Sequence, residues 1–301
     1  GVVAAQVIDR VLIGLHPRHI VGHRHPAVLR GRAEAQQPSQ FRIEQIAKFQ
    51  VPWALEFLPD GRLLISEGAG ALRLLNADGT IGEITGVPAV SFGGQGGLGD
   101  IVLSPEYASN GVIYVSYVEA GPNDTSGAVV ARGRLELKGT GGALVGLEPI
   151  WRQVPKVSGQ GHFSHRIALR DGYLWISSGD RQQFDPAQDM TGNLGKILRL
   201  NMDGSVPRDN PFAAQGGVTA QIWTLGHRNP LGLAFDGQGR LWSVEMGPMG
   251  GDELNLIRRG QNYGYPIVSN GDHYDGKPIP DHHTRPEFAA PVIWWNPVIS
   301  P

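Results

Sequence analysis

The chain has 301 residues, of which 18% are charged and 41% hydrophobic, and its net charge is −2. That balance excludes wholesale disorder and argues against a nucleic-acid surface, and no apolar run reaches the ~20 residues a membrane span needs. Cysteine is absent, which removes disulfides, thiolate catalysis and Cys-based metal sites, while Gly 43 and Pro 22 predict frequent turns.

Residues 1–40 read as a weakly ordered arm, with five Arg and four of the ten His but no clear period. His19, His23 and His25 lie close together, yet no carboxylate cluster accompanies them, so a solvated arm is preferred to a ligand set. Asp9 and Arg10 interrupt the first apolar run, so it does not make a signal peptide. The composition by itself suits an extracytoplasmic enzyme and a cytosolic one equally.

Residues 41–301 read as one all-β domain. PWALEFLPDGRLLISEGAGALRLLNADG (52–79) predicts strand, Asp-Gly turn, strand, turn, strand. Next comes GGQGGLGD (93–100), a formal G-x-G-x-x-G with Glu119 about 20 positions on, as in a dinucleotide fingerprint. That motif needs a helix opening directly after it, and Pro105 and Asn110-Gly111 rule out a sustained one, so a glycine turn between strands is preferred. The hairpin pattern then returns at LGDIVLSPEYASNGVIYVSYV (98–118), SHRIALRDGYLWISSGD (164–180) and NPLGLAFDGQGRLWSVEMG (229–247). The turn glycines Gly61, Gly111, Gly172 and Gly239 recur at intervals of about 50 to 67 residues. Repeated hairpins without long helical patterns between them predict a β-propeller rather than a sandwich.

In a propeller the chemistry lies in loops around the central channel. Four polar, Gly-rich segments qualify and are read as occupying equivalent places: 93–97, 159–166, 225–230 and 245–253. His162 suits a general base, because an unperturbed imidazole titrates near neutrality; the plainer reading is a histidine bonding a neighbouring blade. His165, His227, His282 and His283 carry that structural reading more strongly. Arg228 and Asn229, just before a strand, would face the channel mouth, where a guanidinium suits carboxylates or developing negative charge; an inter-blade salt bridge is the alternative. Gly247-Pro248 offers free carbonyls for a hard cation such as calcium, and Asp252 with Glu253 could supply a second oxygen site, though no D-x-D-x-D-G loop is present.

At these residues the sequence resembles the soluble quinoprotein aldose dehydrogenases, also called glucose/sorbosone dehydrogenases. The resemblance runs from about residue 50 to the end, through GGQGGLGDIVLSP, HFSHRIAL, SSGDR, LGKILRLNMDGSVPRDNPF, LGHRNPLGLAF, GPMGGDELNLI, NYGYP and NPVISP. It implies a six-bladed β-propeller holding pyrroloquinoline quinone (PQQ) beside Ca2+, and a periplasmic or secreted location. By the family pattern Gln95 reaches the catalytic pocket, His162 takes the hydroxyl proton from the sugar's anomeric carbon, and Arg228 and Asn229 sit at the quinone. The carbonyls of Gly247 and Pro248 bind the calcium, while Glu253 and the Tyr263 carbonyl hold a second, structural calcium. The implied reaction oxidises an aldose at C1 to the lactone, with hydride passing to PQQ and then electrons to an external acceptor. The implied partners are thus a sugar and an acceptor, without nucleic acid or a membrane span.

Ser164-His165 departs from the family's usual Gly-Gly, which predicts a stiffer loop. The chain also ends at WNPVISP where the family continues through a further blade carrying basic residues for the PQQ carboxylates, so an incomplete ring is expected. A non-catalytic propeller binding module or inactive fragment is the second reading. A calcium-dependent lactonase would want a carboxylate and Asn cluster around the axis, which is not evident.

Overall fold

Four up-and-down antiparallel groups of four strands follow one another along residues 44–301, the part of the chain that the computed structural model describes, the first two groups being joined edge to edge into one eight-stranded sheet. The predicted arm, with His19, His23 and His25 and the interrupted apolar start, lies outside the described residues. The first group holds β1 (Pro52–Phe57), β2 (Leu63–Glu67), β3 (Ala71–Leu75) and β4 (Ile81–Thr85). The second holds β5 (Leu98–Leu103), β6 (Val112–Ala120), β7 (Ser126–Lys138) and β8 (Gly141–Arg152). The third holds β9 (Ser164–Arg170), β10 (Tyr173–Ser178), β11 (Lys196–Asn201) and β12 (Ile222–Leu225). The fourth holds β13 (Pro230–Phe235), β14 (Leu241–Glu245), β15 (Asp252–Ile257) and β16 (Ile293–Trp295). Their first strands pack in order, β1 on β5, β5 on β9 and β9 on β13, which is the blade arrangement of a β-propeller. The outermost strands β4 and β8 also meet, in parallel, at Ile84–Gly142 and Thr85–Ala143.

The described residues build four blades, one for each of the predicted hairpins; the count of six belongs to the family expectation. The turn chemistry follows the sequence. At the β9–β10 hairpin Asp171 and Gly172 both take positive φ (52° and 79°), the twist that lets Arg170 pair with Tyr173 across a two-residue loop.

Each inner blade is covered on both faces, and the two-residue period of a strand divides its side chains between two cores. On β10, Leu174 and Ile176 enter the core shared with Tyr114, Val130 and Trp151 of the second blade. Trp175, between them, enters the core shared with Leu233, Leu241 and Ile257 of the fourth. β6 does the same, with Tyr114 on one side and Ile113, Val115 and Tyr117 in the core against the first blade.

The loops entering β5, β9 and β13 emerge at one end. Antiparallel pairing brings the β10–β11 loop there too, since Ser178 lies opposite Ser164, and likewise the β14–β15 loop, since Glu245 lies opposite Pro230. One expectation is corrected here: 245–253 is not placed like 93–97, 159–166 and 225–230. It is the β14–β15 connection, and it reaches the shared end from within its blade.

Ile176 is fully buried, so Ile176→Ala should lower the unfolding free energy by about 2–5 kcal/mol in a denaturant titration. A change below 1 kcal/mol would contradict close packing between the second and third blades.

Candidate active site

His162 is buried in the loop before β9 and is gripped at its backbone and its ring. Its N–H donates to Gln95 Oε1 at 2.7 Å, and its Nδ1 lies 2.6 Å from Asp180 Oδ1. An ionised carboxylate only accepts, so in the neutral imidazole this contact places the ring proton on Nδ1 and the lone pair on Nε2. Asp180 is wholly buried, and it also accepts the N–H groups of Gln182 (2.9 Å) and Phe184 (3.3 Å). Its own N–H donates to the Arg228 carbonyl at 2.8 Å, tying the base loop to the loop before β13.

Gln95 enters this assembly as a support. Its backbone N–H bonds the Gln160 carbonyl (2.8 Å) and its side-chain oxygen is spent on His162, while the residue itself is exposed. The glycines around it permit close approach: Gly97 has φ +127°, and a Cβ there would collide with the Gly68 backbone of the first blade. No sustained helix follows this turn, and Glu119 on β6 pairs with Lys156 (2.6 Å) and Arg152 (3.2 Å), so the dinucleotide context is absent.

Arg228 and Asn229 are buried beside the base. The Arg228 N–H donates to Glu245 Oε2 (2.8 Å), and Nη1 donates to the carbonyls of Met246 (3.0 Å) and Gly247 (2.6 Å). Its Nε finds no partner. Asn229 Oδ1 accepts the Ser164 hydroxyl at 2.9 Å, which leaves Nδ2 buried and unpartnered. Two orphan donors on consecutive residues are costly unless a ligand supplies acceptors. Ser164, where the family pattern has glycine, thus orients the Asn229 amide.

Behind Arg228, Glu245 and Glu253 face each other across β14 and β15, and Asn255 Nδ2 bridges them at 2.9 and 3.0 Å. Burial raises the Glu245 carboxyl, but His227 beside it (2.9 Å), the Arg228 N–H and Asn255 outweigh that and hold it below its usual range. Burial, and next the Glu245 charge, push Glu253 well above its usual value. His282 stands between the two residues predicted to share a second calcium, with Nε2 3.1 Å from the Tyr263 carbonyl and Nδ1 3.9 Å from Glu253 Oε1. The Gly247 carbonyl already accepts from Arg228, and the Gly247 N–H donates to Asp252 Oδ1 (2.9 Å). Asp252 Oδ2 accepts the N–H groups of Ile299 (2.8 Å) and Ser300 (2.7 Å). Among the described residues no three His, Cys, Asp or Glu side chains gather as a metal site.

The structure therefore brings Gln95, His162, Arg228, Asn229 and Gly247 into one connected site, with Pro248, Glu253 and Tyr263 lining a small cavity behind Arg228. Asp180 and Glu245 are not predicted by residue type; their one sequence signal is position, each an acid at or just past the end of a strand whose partner carries a site loop. Lys196 is likewise unpredicted: it is fully buried, and its Nζ donates to the carbonyls of Pro186, Ala187 and Leu194 at 2.7–3.0 Å. His165 follows the structural reading: Nδ1 lies 2.8 Å from Ser116 Oγ in the second blade, and the ring stacks on Trp53 of the first, centroids 5.0 Å apart. His227 does likewise, between Thr224, Glu245 and the Tyr263 ring.

Comparison with known proteins bears on what this arrangement does. The family model described as Glucose / Sorbosone dehydrogenase matches residues 49–301. An aldose sugar dehydrogenase of Escherichia coli (strain K12) is 39% identical over 274 residues, covering 87% of this chain and 73% of that protein. Quinoprotein glucose dehydrogenase B of Acinetobacter calcoaceticus is 32% identical over 249 residues, covering 74% of this chain and 52% of that protein. Among solved structures, the PQQ-bound form of an aldose sugar dehydrogenase from Streptomyces coelicolor superposes with a TM-score of 0.70 at 32% identity, covering 84% of this chain and 70% of that one.

Burial, reinforced by the charge of Arg166, holds the His165 imidazole down to about 3. In the unfolded chain a histidine takes up its proton near pH 6.5, which the folded state refuses until about pH 3. Stability should therefore decline as pH falls through that window, at up to about 1.4 kcal/mol per pH unit from this residue. Denaturant titrations at pH 7, 6, 5 and 4 should show the slope, and His165→Gln should flatten it. An equally steep decline in the variant would assign the acid sensitivity elsewhere.

Proposed function

Because the chain belongs to the glucose/sorbosone dehydrogenase family, we propose that it oxidises aldose sugars at C1 to the lactone, using PQQ with Ca2+ and an external electron acceptor. The observation that carries this reading is the pairing of the His162–Asp180 dyad with the orphan donors Arg228 Nε and Asn229 Nδ2. Those donors fit an electron-rich, multiply charged cofactor, since each lacks an acceptor in a buried position. When bound, PQQ would supply the hydride acceptor for the sugar's C1 and Ca2+ would supply Lewis-acid activation of the quinone.

This chain's own residues supply position and proton transfer. His162 Nε2 takes the proton of the C1 hydroxyl, and the Asp180 carboxylate stabilises the imidazolium that results. Asp180 also fixes the tautomer, so the free lone pair is always the one presented. Arg228 and Asn229 direct N–H groups at the side where negative charge develops. Gln95 keeps the backbone of the base in place from the neighbouring blade.

Calcium would be held at Gly247 and Pro248 by two carbonyls, one of them already accepting from Arg228, so the rest of the roughly six to eight oxygens it takes would come from water or the cofactor. A second calcium at Glu253 and the Tyr263 carbonyl would have to displace His282, and no step is assigned to it.

Two outcomes are expected of the purified chain. Ca2+ alone should barely raise its melting temperature, whereas PQQ and Ca2+ together should raise it by several degrees, shift the PQQ absorbance and support dye-linked aldose oxidation. No absorbance shift and no turnover would overturn the quinoprotein reading of this chain and favour the second reading, a non-catalytic binding module or inactive fragment.

His162→Ala should lower turnover by about 10²–10⁴-fold with PQQ still bound, and Asp180→Asn should act in the same direction. His165→Ala should cost turnover far less. Equal losses at His162 and His165 would mean the base is misassigned.

A further inference from the structure

An arginine beside a cofactor site invites the role of a carboxylate ligand, and Arg181, next to Asp180, is well placed in sequence for it. Its surroundings exclude that role. The residue is 0% exposed, and its donors are taken up by backbone: Nε by the Gly161 carbonyl at 2.8 Å, Nη1 by Ser126 at 2.7 Å and Nη2 by Gly159 at 2.5 Å. The guanidinium carbon lies 3.6 Å from the Phe163 ring centroid. Among the described residues no carboxylate is hydrogen-bonded to it. Two of the three carbonyls belong to the loop that leads into His162, and the third opens β7 of the neighbouring blade. The Arg181 backbone N–H reaches the His162 carbonyl itself, at 3.3 Å.

The loop needs such a restraint. His162, Ser164 and His165 stand in the left-handed region, with φ of 50°, 59° and 52°, and Arg181 itself has φ 59°. Residues with side chains persist there only where their surroundings over-determine them. Burial weakens the Arg181 charge and the neighbouring Asp180 carboxylate supports it from a distance, but with no carboxylate hydrogen-bonded to it the cation is retained only because several charge-assisted hydrogen bonds satisfy it. A planar fork reaches three carbonyls at once in fixed directions, which an ammonium on a flexible stem does not reproduce.

We propose that Arg181 is a positioning residue for the base: it fastens residues 159–161 and the neighbouring blade around His162, so that Nδ1 meets Asp180 and Nε2 faces the cleft. This rests on the reading of His162 as the base, but its test does not depend on turnover. In the full chain, ¹⁵N spectra of the imidazoles should show wild-type His162 as a single Nδ1–H tautomer. Arg181→Lys should give a mixture of tautomers and a kcat/KM for sugar lowered by roughly 10- to 100-fold, the scale of a misplaced catalytic group, at unchanged PQQ affinity. Free guanidinium at millimolar concentration should restore both signals in Arg181→Ala, where it refills the vacated space. A variant that keeps the single tautomer and the wild-type kcat/KM would overturn the proposal.

Should neither variant fold, hydrogen exchange of the wild type decides. Amides of residues 161 and 162 protected like those of β9 support the fastening, and exchange at free-loop rates overturns it. If the wild type binds PQQ but oxidises no sugar, the enzymatic reading fails while the tautomer comparison still judges Arg181.

Discussion

A carboxylate removed from water must be met by donors, and Asp180 is removed from water entirely. It is met by the His162 ring, by the N–H of Gln182 and by the N–H of Phe184, while its own N–H reaches the Arg228 carbonyl. Each of these groups comes from a loop that must bend sharply to arrive. Gln182 and Phe184 turn back through positive φ (60° and 64°), and His162 does the same from the other side. The placement of the base, of the turn after β10 and of the loop before β13 thus follows from satisfying one buried charge.

The blades make that convergence possible. Because alternate residues of β6 and β10 are committed to opposite cores, a blade cannot slip in register by one residue without exposing both sets. The ends of the strands are therefore fixed in height, and the loops that leave them meet in a defined plane. The polar residues there can be buried in numbers only because they satisfy one another, as Glu245 does with His227, Arg228 and Asn255.

Much of this was legible in the sequence. Asp-Gly and Asn-Gly pairs between alternating apolar runs mark the four hairpins, and all four pairs of strands form, though Asn110-Gly111 closes a one-turn helix (Tyr107–Asn110) between β5 and β6 and is not a tight hairpin turn. His162, Arg228 and Asn229 were identifiable because loops before inner strands are local features too. The partners of those residues were not, since Asp180, Glu245 and Arg181 acquire meaning only from packing between segments distant in the chain. The resemblance puts Gln95 at the catalytic pocket, and its side-chain oxygen there accepts the His162 N–H, a partner that no local sequence feature shows. The segment 245–253 joins two strands of one blade, yet its glycines resemble those of the entry loops, and nothing local distinguishes a turn within a blade from a link between blades.

Asp252 holds two parts of the chain at once. One oxygen carries the N–H of Gly247, and the other carries the N–H groups of Ile299 and Ser300. In mechanical terms the carboxylate is a rigid coupling between the final residues and the loop whose Gly247 carbonyl contacts Arg228. Tension applied at Ser300, from a fused domain or an attachment to a solid support, is transmitted over two hydrogen bonds to the backbone beside the guanidinium. Immobilisation through the opposite end of the chain spares that coupling, so the direction of tethering becomes a control on the site.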